Sequence, residues 1–336
     1  MNYKSLAALT FFGFLTGGML GCKGKDSVES TPPFTHTIAG HDYRFEGNRV
    51  TQLTSDSDDQ STYGVISDAH GETAKAKYFA NIFKERKVDG IILTGDLPKN
   101  EKLRYGHADS RDDQTEIKEV LTAVAQTKLP ILTILGHHER KSDYDAALAE
   151  VTRNYPNVID MTQYWVFDGD DVDFVSLPGY QTFKRPTSQF IPDDGFYADA
   201  AFINATGKLA RGLDDAVVLI AHGAGKTGAR VGPATLHDGK DVGNPETTYM
   251  MRDNNIGIAV VGHIHEAGGI AATVDGRNVP PGKWANQGFT VNFGTLESWR
   301  YLDGKVRDGM AGILTVKGDK SKFDISRAKY EILVKE

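Results

Sequence analysis

Six of the ten histidines and two of the aspartates stand directly behind short apolar runs. "YGVIS" (63–67) leads to Asp68-Ala69-His70, "GIILT" (90–94) to Gly95-Asp96, and "ILTIL" (131–135) to Gly136-His137-His138-Glu139. "VVLIA" (217–221) leads to His222, and "IGIAVV" (256–261) to Gly262-His263-Ile264-His265. Imidazole and carboxylate ligate transition metals, and imidazole also moves protons near neutral pH. One such residue at a strand end is ordinary structure. Eight of them in five successive blocks point to a shared site. The chain has a single cysteine, which excludes an intramolecular disulfide framework and a thiolate-rich zinc site. A metal would therefore be held by imidazole, carboxylate and carbonyl.

The elements that would position these groups are legible from periodicity. The apolar runs alternate with amphipathic stretches at Thr73 to Arg86 and Glu116 to Gln126, whose apolar residues recur at three and four. Such alternation predicts βαβ units and sheets buried on both faces. Ligand sites in open α/β sheets gather at the carboxyl ends of strands, so residues two hundred positions apart can meet there. Further strand-like runs, "YWVFDG", "VDFVSL", "FTVNFG" and "AGILTVK", lack intervening helices and read as antiparallel strands of the same or a second sheet. Upstream, Thr35 to Leu53 alternates as a hairpin with "EGN" at its turn. "SDSDDQ" (55–60) lacks the terminal Glu and central Gly of a calcium loop and reads as a solvated loop.

Composition bounds the partners. The chain has 336 residues, 40% of them hydrophobic, enough to bury a sizeable core. A net charge of −7 offers no general surface for a polyanion, since nucleic-acid affinity rests largely on Lys and Arg neutralising phosphates. There is thus no strong nucleic-acid signal.

The N-terminus carries a second message. A mostly apolar run from Leu6 to Leu20 ends in Met19-Leu20-Gly21-Cys22, followed by polar Lys23-Gly24-Lys25-Asp26. Its length suits a signal-peptide apolar segment. The ending resembles the bacterial lipoprotein signal, in which the cysteine is lipidated and becomes the new N-terminus. That resemblance implies a signal peptide at 1–21, lipidated Cys22 leading a flexible linker over 22–34, and a single domain over 35–336. The chain would be exported and anchored to the bacterial cell envelope through Cys22. An uncleaved N-terminal anchor helix is the alternative.

The ordered set Asp-x-His, Gly-Asp, Gly-His-His-Glu, His, Gly-His-x-His resembles that of the calcineurin-like metallophosphoesterases, from about Tyr63 to Phe293. The resemblance implies an α/β fold, a two-sheet β-sandwich flanked by helices in four α/β/β/α layers. It also implies two metal ions at the strand ends. By motif match, Asp68, His70 and His265 would hold one ion, Asp96 would bridge both, and His222 and His263 would hold the other. Two departures stand out. His137 occupies the position of the family's ligating Asn, and Lys99 stands where the family's Gly-Asp-x-x-Asp has its second Asp. Imidazole is also a ligand for Zn, Fe, Ni and Mn, the ions expected here, so His137 would hold the second ion; otherwise that ion is weakly bound or absent.

The resemblance further implies hydrolysis of a phosphomonoester or phosphodiester by a water shared between the two metals. His138, oriented by Glu139 or Asp68, would protonate the leaving group. A catalytically inactive, metal-holding binding or scaffold lipoprotein of the same fold is the alternative. Tyr180, Lys99, Arg104 and Arg140 are candidate phosphate or substrate contacts. "NFGTLESWR" (292–300) would line the pocket edge, with Trp299 in the core or forming a substrate wall. "AHGAGKTGAR" (221–230) ends a strand with Gly-Lys-Thr, but Ile220 stands where a phosphate-binding loop needs its first glycine. His107 and His237 read as solvated loop histidines.

Overall fold

The computed structural model describes residues 32–99, 112–181, 194–286 and 288–327. Strands β1 (Phe34–Ile38), β2 (His41–Glu46) and β3 (Arg49–Gln52) open the chain as a meander. The expected turn joins β2 to β3, where Glu46 pairs with Arg49 across Gly47 and Asn48. The predicted hairpin is thus the last two strands of a three-stranded unit. Next come β4 (Gln60–Ile66), α1 (Thr73–Glu85), β5 (Gly90–Leu93), α2 (Asp113–Ala125), β6 (Ile131–Thr133), α3 (Lys141–Asn154) and β7 (Val158–Asp160). These are the βαβ repeats that the sequence pattern requires, and β4 to β7 run parallel. Helix α2 starts earlier than its apolar period suggests because the Asp112 carboxylate accepts the Thr115 N–H at 2.7 Å, capping the first turn.

The second half holds β8 (Val166–Asp168), β9 (Val172–Leu177), β10 (Tyr180–Gln181), β11 (Tyr197–Ala198), α4 (Ala200–Leu209) and β12 (Ala216–Ala221). Then follow α5 (Pro245–Asp253), β13 (Ile258–Val261), β14 (Ala271–Ala272), β15 (Phe289–Asn292), β16 (Ser298–Arg300), β17 (Val306–Asp308), β18 (Met310–Lys317) and β19 (Lys320–Arg327). One main sheet has six strands in the order β19-β18-β4-β5-β6-β7, and the other has nine in the order β1-β2-β3-β8-β9-β12-β13-β15-β14. As expected, "AGILTVK" pairs antiparallel with β4 and "YWVFDG" antiparallel with "VDFVSL". "FTVNFG" departs from expectation. It forms β15, which runs parallel to β13, because the chain between them crosses over through η1 (His265–Ala267) and the edge strand β14. "VDFVSL" also pairs parallel with β12 on its other side.

Period-two alternation builds the layers. Along β12, Val218 and Ile220 face the other sheet, while Val217, Leu219 and Ala221 face the α4/α5 side. Along β5, Ile92 faces inward, while Ile91 and Leu93 pack under α1, α2 and α3. The result is an α/β/β/α sandwich with a shared apolar centre, where Val65, Ile92 and Leu132 meet Phe174, Val218 and Val260. Among the described residues no helix is long and apolar enough to cross a membrane.

Candidate metal centre

The strands of both sheets that carry the polar residues end along one edge of the sandwich. Asp68 and His70 follow β4, Asp96 follows β5, His137 and His138 follow β6, His222 follows β12, and His263 and His265 follow β13. Backbone bonds lace these loops together: Asp68 N–H to the Gly95 carbonyl at 3.1 Å, His70 N–H to the Asp96 carbonyl at 3.0 Å, and Gly262 N–H to the His222 carbonyl at 3.0 Å. The packing explains the glycines of the motifs. A Cβ on Gly95 would run into the backbone of Gly136, and one on Gly262 into the Ser67 hydroxyl and the Asp68 carboxylate. Asp68, His70, Asp96 and His263 all adopt left-handed backbone angles, with φ of 48°, 44°, 53° and 66°. Such conformations cost non-glycine residues about 1–3 kcal/mol each and persist only where the surroundings enforce them.

The donor atoms converge in two groups that meet at Asp96. In the first, His265 Nε2 lies 3.2 Å from Asp68 Oδ1, His70 Nε2 lies 3.2 Å from His265 Nε2, and His70 Nε2 lies 3.9 Å from Asp68 Oδ1. In the second, His137 Nδ1 lies 2.8 Å from His222 Nε2, and His263 joins them within metal-binding range. Asp96 Oδ2 lies 2.9 Å from His137 Nδ1, 3.2 Å from His222 Nε2 and 3.7 Å from His138 Nε2. That oxygen is fully buried and accepts no hydrogen bond among the described residues. Buried Nδ1 of His263 is likewise without a hydrogen-bond partner there. A buried carboxylate oxygen that accepts no hydrogen bond while imidazole nitrogens crowd around it is what a cation site requires, since such an oxygen is otherwise costly. A tetrahedral ion with bonds of about 2.0–2.1 Å spans donor–donor edges of about 3.3 Å, so the observed separations need little adjustment. The residues therefore fit a pair of metal ions sharing Asp96.

Outer partners fix the ligands' orientation. His222 Nδ1 faces the Thr94 carbonyl at 3.0 Å and His70 Nδ1 the Pro98 carbonyl at 3.3 Å, leaving both Nε2 atoms for a metal. Asp96 Oδ1 accepts the backbone N–H groups of His137 and His138 at 2.8 and 2.9 Å, which directs Oδ2 inward. Asp68 Oδ2 accepts the Ser67 hydroxyl and the His263 N–H, and Thr94 Oγ1 donates onward to Ser67 at 2.6 Å. Electrostatics follow this arrangement. Burial opposes the charge of Asp96, yet His137, His222 and His138 hold its carboxyl well below the usual range. For His222, burial is likewise outweighed, and the Asp96 carboxylate pushes the imidazole up to about 10. Burial and then His265 push His70 down to about 4, and burial with His137 and His222 pushes His263 well below its ordinary value.

Other expected residues are placed variously. His138 is buried, with its ring centroid 4.2 Å from that of His137 and 5.3 Å from that of His70. The Glu139 carboxylate has a structural task that the sequence did not suggest. Its two oxygens accept the N–H groups of Leu97 and Gly136 at 2.8 and 2.9 Å, clamping the Asp96 loop to the His137 loop. Asp68 Oδ2 accepts from Ser67 and the His263 N–H, and its Oδ1 faces His265 Nε2. Tyr180 reaches the site, with ring centroids 5.6 Å from His137 and 5.8 Å from His263. Trp299 packs against the first donor group, its ring centroid 4.6 Å from that of His265.

Arg140 is exposed at the start of α3, where its charge acts on Asp143 and Asp113. The Lys99 backbone N–H donates to Glu116 Oε2 at 2.7 Å. "NFGT" does not line a pocket edge: Asn292 and Thr295 are fully buried behind the ligand loops. The Asn292 amide donates to the carbonyls of Pro233, Gly262 and Ile264, and Thr295 Oγ1 donates to the Asp68 carbonyl at 2.9 Å. Sequence reasoning missed Ser67 and Thr94, whose only signal is a small hydroxyl residue closing each apolar run. His237 is exposed, as expected. Cys22, Arg104 and His107 lie outside the described residues.

Fold and site together define an α/β/β/α sandwich with a candidate two-cation centre at its strand ends. The chain belongs to the calcineurin-like phosphoesterase family, which it matches over residues 61–267. Among solved structures, one crystal structure superposes with a TM-score of 0.57 at 16% identity, covering 80% of this chain and all of the other. TT1561 of Thermus thermophilus superposes with a TM-score of 0.53 at 12% identity, covering 80% of this chain and 99% of its own. A dimetal phosphatase from Danio rerio aligns at a TM-score of 0.47 and 12% identity, over 80% of this chain and 99% of its own. No curated protein matches the chain in sequence.

Proposed function

We propose that this chain is an exported, lipid-anchored hydrolase that cleaves a phosphomonoester or phosphodiester at a pair of cations. The observation that carries the reading is Asp96 Oδ2, buried and without a hydrogen bond among the described residues although three imidazole nitrogens lie 2.9 to 3.7 Å away. Asp68, His70 and His265 hold one ion, His137, His222 and His263 the other, and Asp96 serves both. What bound ions supply is water activation at neutral pH and neutralisation of phosphoryl charge. The chain's own residues do the rest. His138 holds a proton at Nε2 beside the shared carboxylate and delivers it to the leaving oxygen. The Tyr180 ring against His137 and His263 and the Trp299 ring against His265 bound the space for the ester's organic group. Cys22 carries the anchor.

The test is hydrolysis of generic aryl phosphate mono- and diesters. Wild type should turn over at least one class, and Asp96→Asn should lose at least about a hundredfold, since even outer partners of metal ligands are worth 10- to 100-fold. Full metal loading without turnover of either class would overturn the hydrolase reading and favour a metal-holding scaffold. For the anchor, Cys22→Ala should release the chain from the membrane fraction; a variant that stays membrane-bound refutes lipidation there.

A further inference from the structure

We infer that the site takes esters whose organic group is a flat aromatic ring, received by Trp299, and that Lys75 is the positioning residue that holds Trp299 in place. The inference rests on the hydrolase reading above and deepens it by naming the substrate class and the residue that sets it.

Trp299 stands on a weak element. Strands β16 and β17 form a two-stranded sheet of their own, joined to neither main sheet. Such a hairpin is at best marginally stable in water, so its position depends on what grips it. The indole does not fix itself through a hydrogen bond, because its Nε1 is buried and without a partner among the described residues. Its ring meets that of His265 nearly edge to face, at an interplanar angle of 78°. Aromatic rings placed beside the donor groups, Trp299 here and Tyr180 at His137, favour an aromatic partner, since ring pairs gain attraction beyond the area they bury. A small aliphatic group would not collect that gain.

The grip comes from a buried ammonium at the root of the hairpin. Lys75, in the first turn of α1, is only 5% exposed, and lysine is almost never buried unless paired. Its Nζ donates to the Leu296 carbonyl at 2.9 Å, just ahead of β16, and to Asp308 Oδ1 at 3.2 Å, at the end of β17. Glu72 Oε2 lies 3.3 Å away on the same helix. One cation therefore clasps both legs of the hairpin to α1, and in the ladder Asp308 stands opposite Ser298, the neighbour of Trp299. Gly309, with φ of 95°, lets the clasp close: a Cβ there would lie 2.9 Å from the Leu296 carbonyl oxygen and 3.3 Å from Lys75 Cδ. The ligand loop has supports besides Lys75, since the Asp68 carbonyl accepts the Leu296 N–H at 3.1 Å and the Thr295 hydroxyl at 2.9 Å.

The experiment titrates metal-loaded full-length chain calorimetrically with phenylphosphonate and methylphosphonate, whose P–C bonds resist hydrolysis. Wild type should bind the phenyl compound about tenfold or more tightly, and Trp299→Ala and Lys75→Met should each remove about three- to tenfold of that preference. Lys75→Met should keep the wild-type metal content, and adding it to Trp299→Ala should cost no further preference, because residues acting as one unit are not additive. A merely structural lysine would instead leave the preference unchanged. Circular dichroism checks each fold. If Lys75→Met is unfolded, Asp308→Asn, which loosens the β17 leg, should shift the preference in the same direction. No phenyl preference in wild type, a folded Lys75 or Asp308 variant with the wild-type preference, losses that multiply in the double variant, or an ion lost from Lys75→Met would each overturn the inference and leave the hydrolase reading intact. Wild type that binds neither phosphonate would overturn the reading beneath it.

Discussion

Asn292→Ala removes a side chain that touches neither the proposed ions nor any substrate, so its effect measures how far the ligand loops depend on support from behind. Asn292 is fully buried; its Nδ2 donates to the carbonyls of Pro233 at 2.9 Å, Gly262 at 2.9 Å and Ile264 at 3.0 Å, and its Oδ1 accepts the Gly294 N–H at 2.7 Å. Gly262 and Ile264 flank His263, and each carbonyl also accepts a backbone N–H, from Ile264 and Ala267. They would lose a second bond rather than their only one. The Pro233 carbonyl and the Gly294 N–H would be left buried without these partners, at about 1–3 kcal/mol each. With a smaller loss at the other two carbonyls, the sum is about 3–7 kcal/mol. Denaturant unfolding of chelated protein should show a loss of this size, and metal retention should fall 10- to 100-fold because the His263–His265 loop loosens. A loss under about 1 kcal/mol with unchanged metal content would refute the assignment of Asn292 as a brace.

His138→Ala should lower turnover by about 10²- to 10⁴-fold, the usual worth of a positioned acid, while metal content stays at the wild-type level; loss of an ion instead would make His138 a ligand. Chelation should lower thermal stability. Ions at a hundred times their dissociation constant stabilise by about 2.7 kcal/mol each, and the four left-handed ligand-loop residues lose their enforcement without them; an unchanged melting temperature would contradict this. Asp173, far from the ligand edge at the start of β9, gives a pH prediction. Burial and the charges of Asp168, Asp215 and Asp214 push its carboxyl up to about 7, against an opposing bond from the Asp215 N–H. The folded state therefore holds a proton that the unfolded chain releases near pH 4. The contribution is full below about pH 4 and is lost as pH rises through about 7. Asp173→Asn should flatten that fall in a denaturation series from about pH 4 to 8; an unchanged slope would assign it to other groups.

Much of the site was legible because strand termination leaves a local mark. A four- to six-residue apolar run that stops at Asp or His states both the burial of the strand and the position of the polar group. The same logic explains the glycines, since Gly95 and Gly262 lie where loops touch. What stayed hidden depends on contacts between distant segments. Nothing local tells that the Glu139 carboxylate turns toward Leu97 and Gly136, that Asn292 faces inward, or that Tyr180 arrives beside His263. The parallel course of β15 was equally unreadable, because strand direction is set by the crossover through β14 and not by the residues of "FTVNF". The surroundings of Arg140 were hidden for a similar reason: it follows the His137-His138 pair in sequence, but α3 begins at the next residue, and its charge acts on Asp143 and Asp113.

The most direct measurement is anomalous scattering from crystals of the metal-loaded chain. Two peaks about 3.5–4 Å apart, straddling Asp96 Oδ2, are expected, with His137 at one and His70 at the other. A single peak, or peaks away from Asp96, would contradict the two-cation centre.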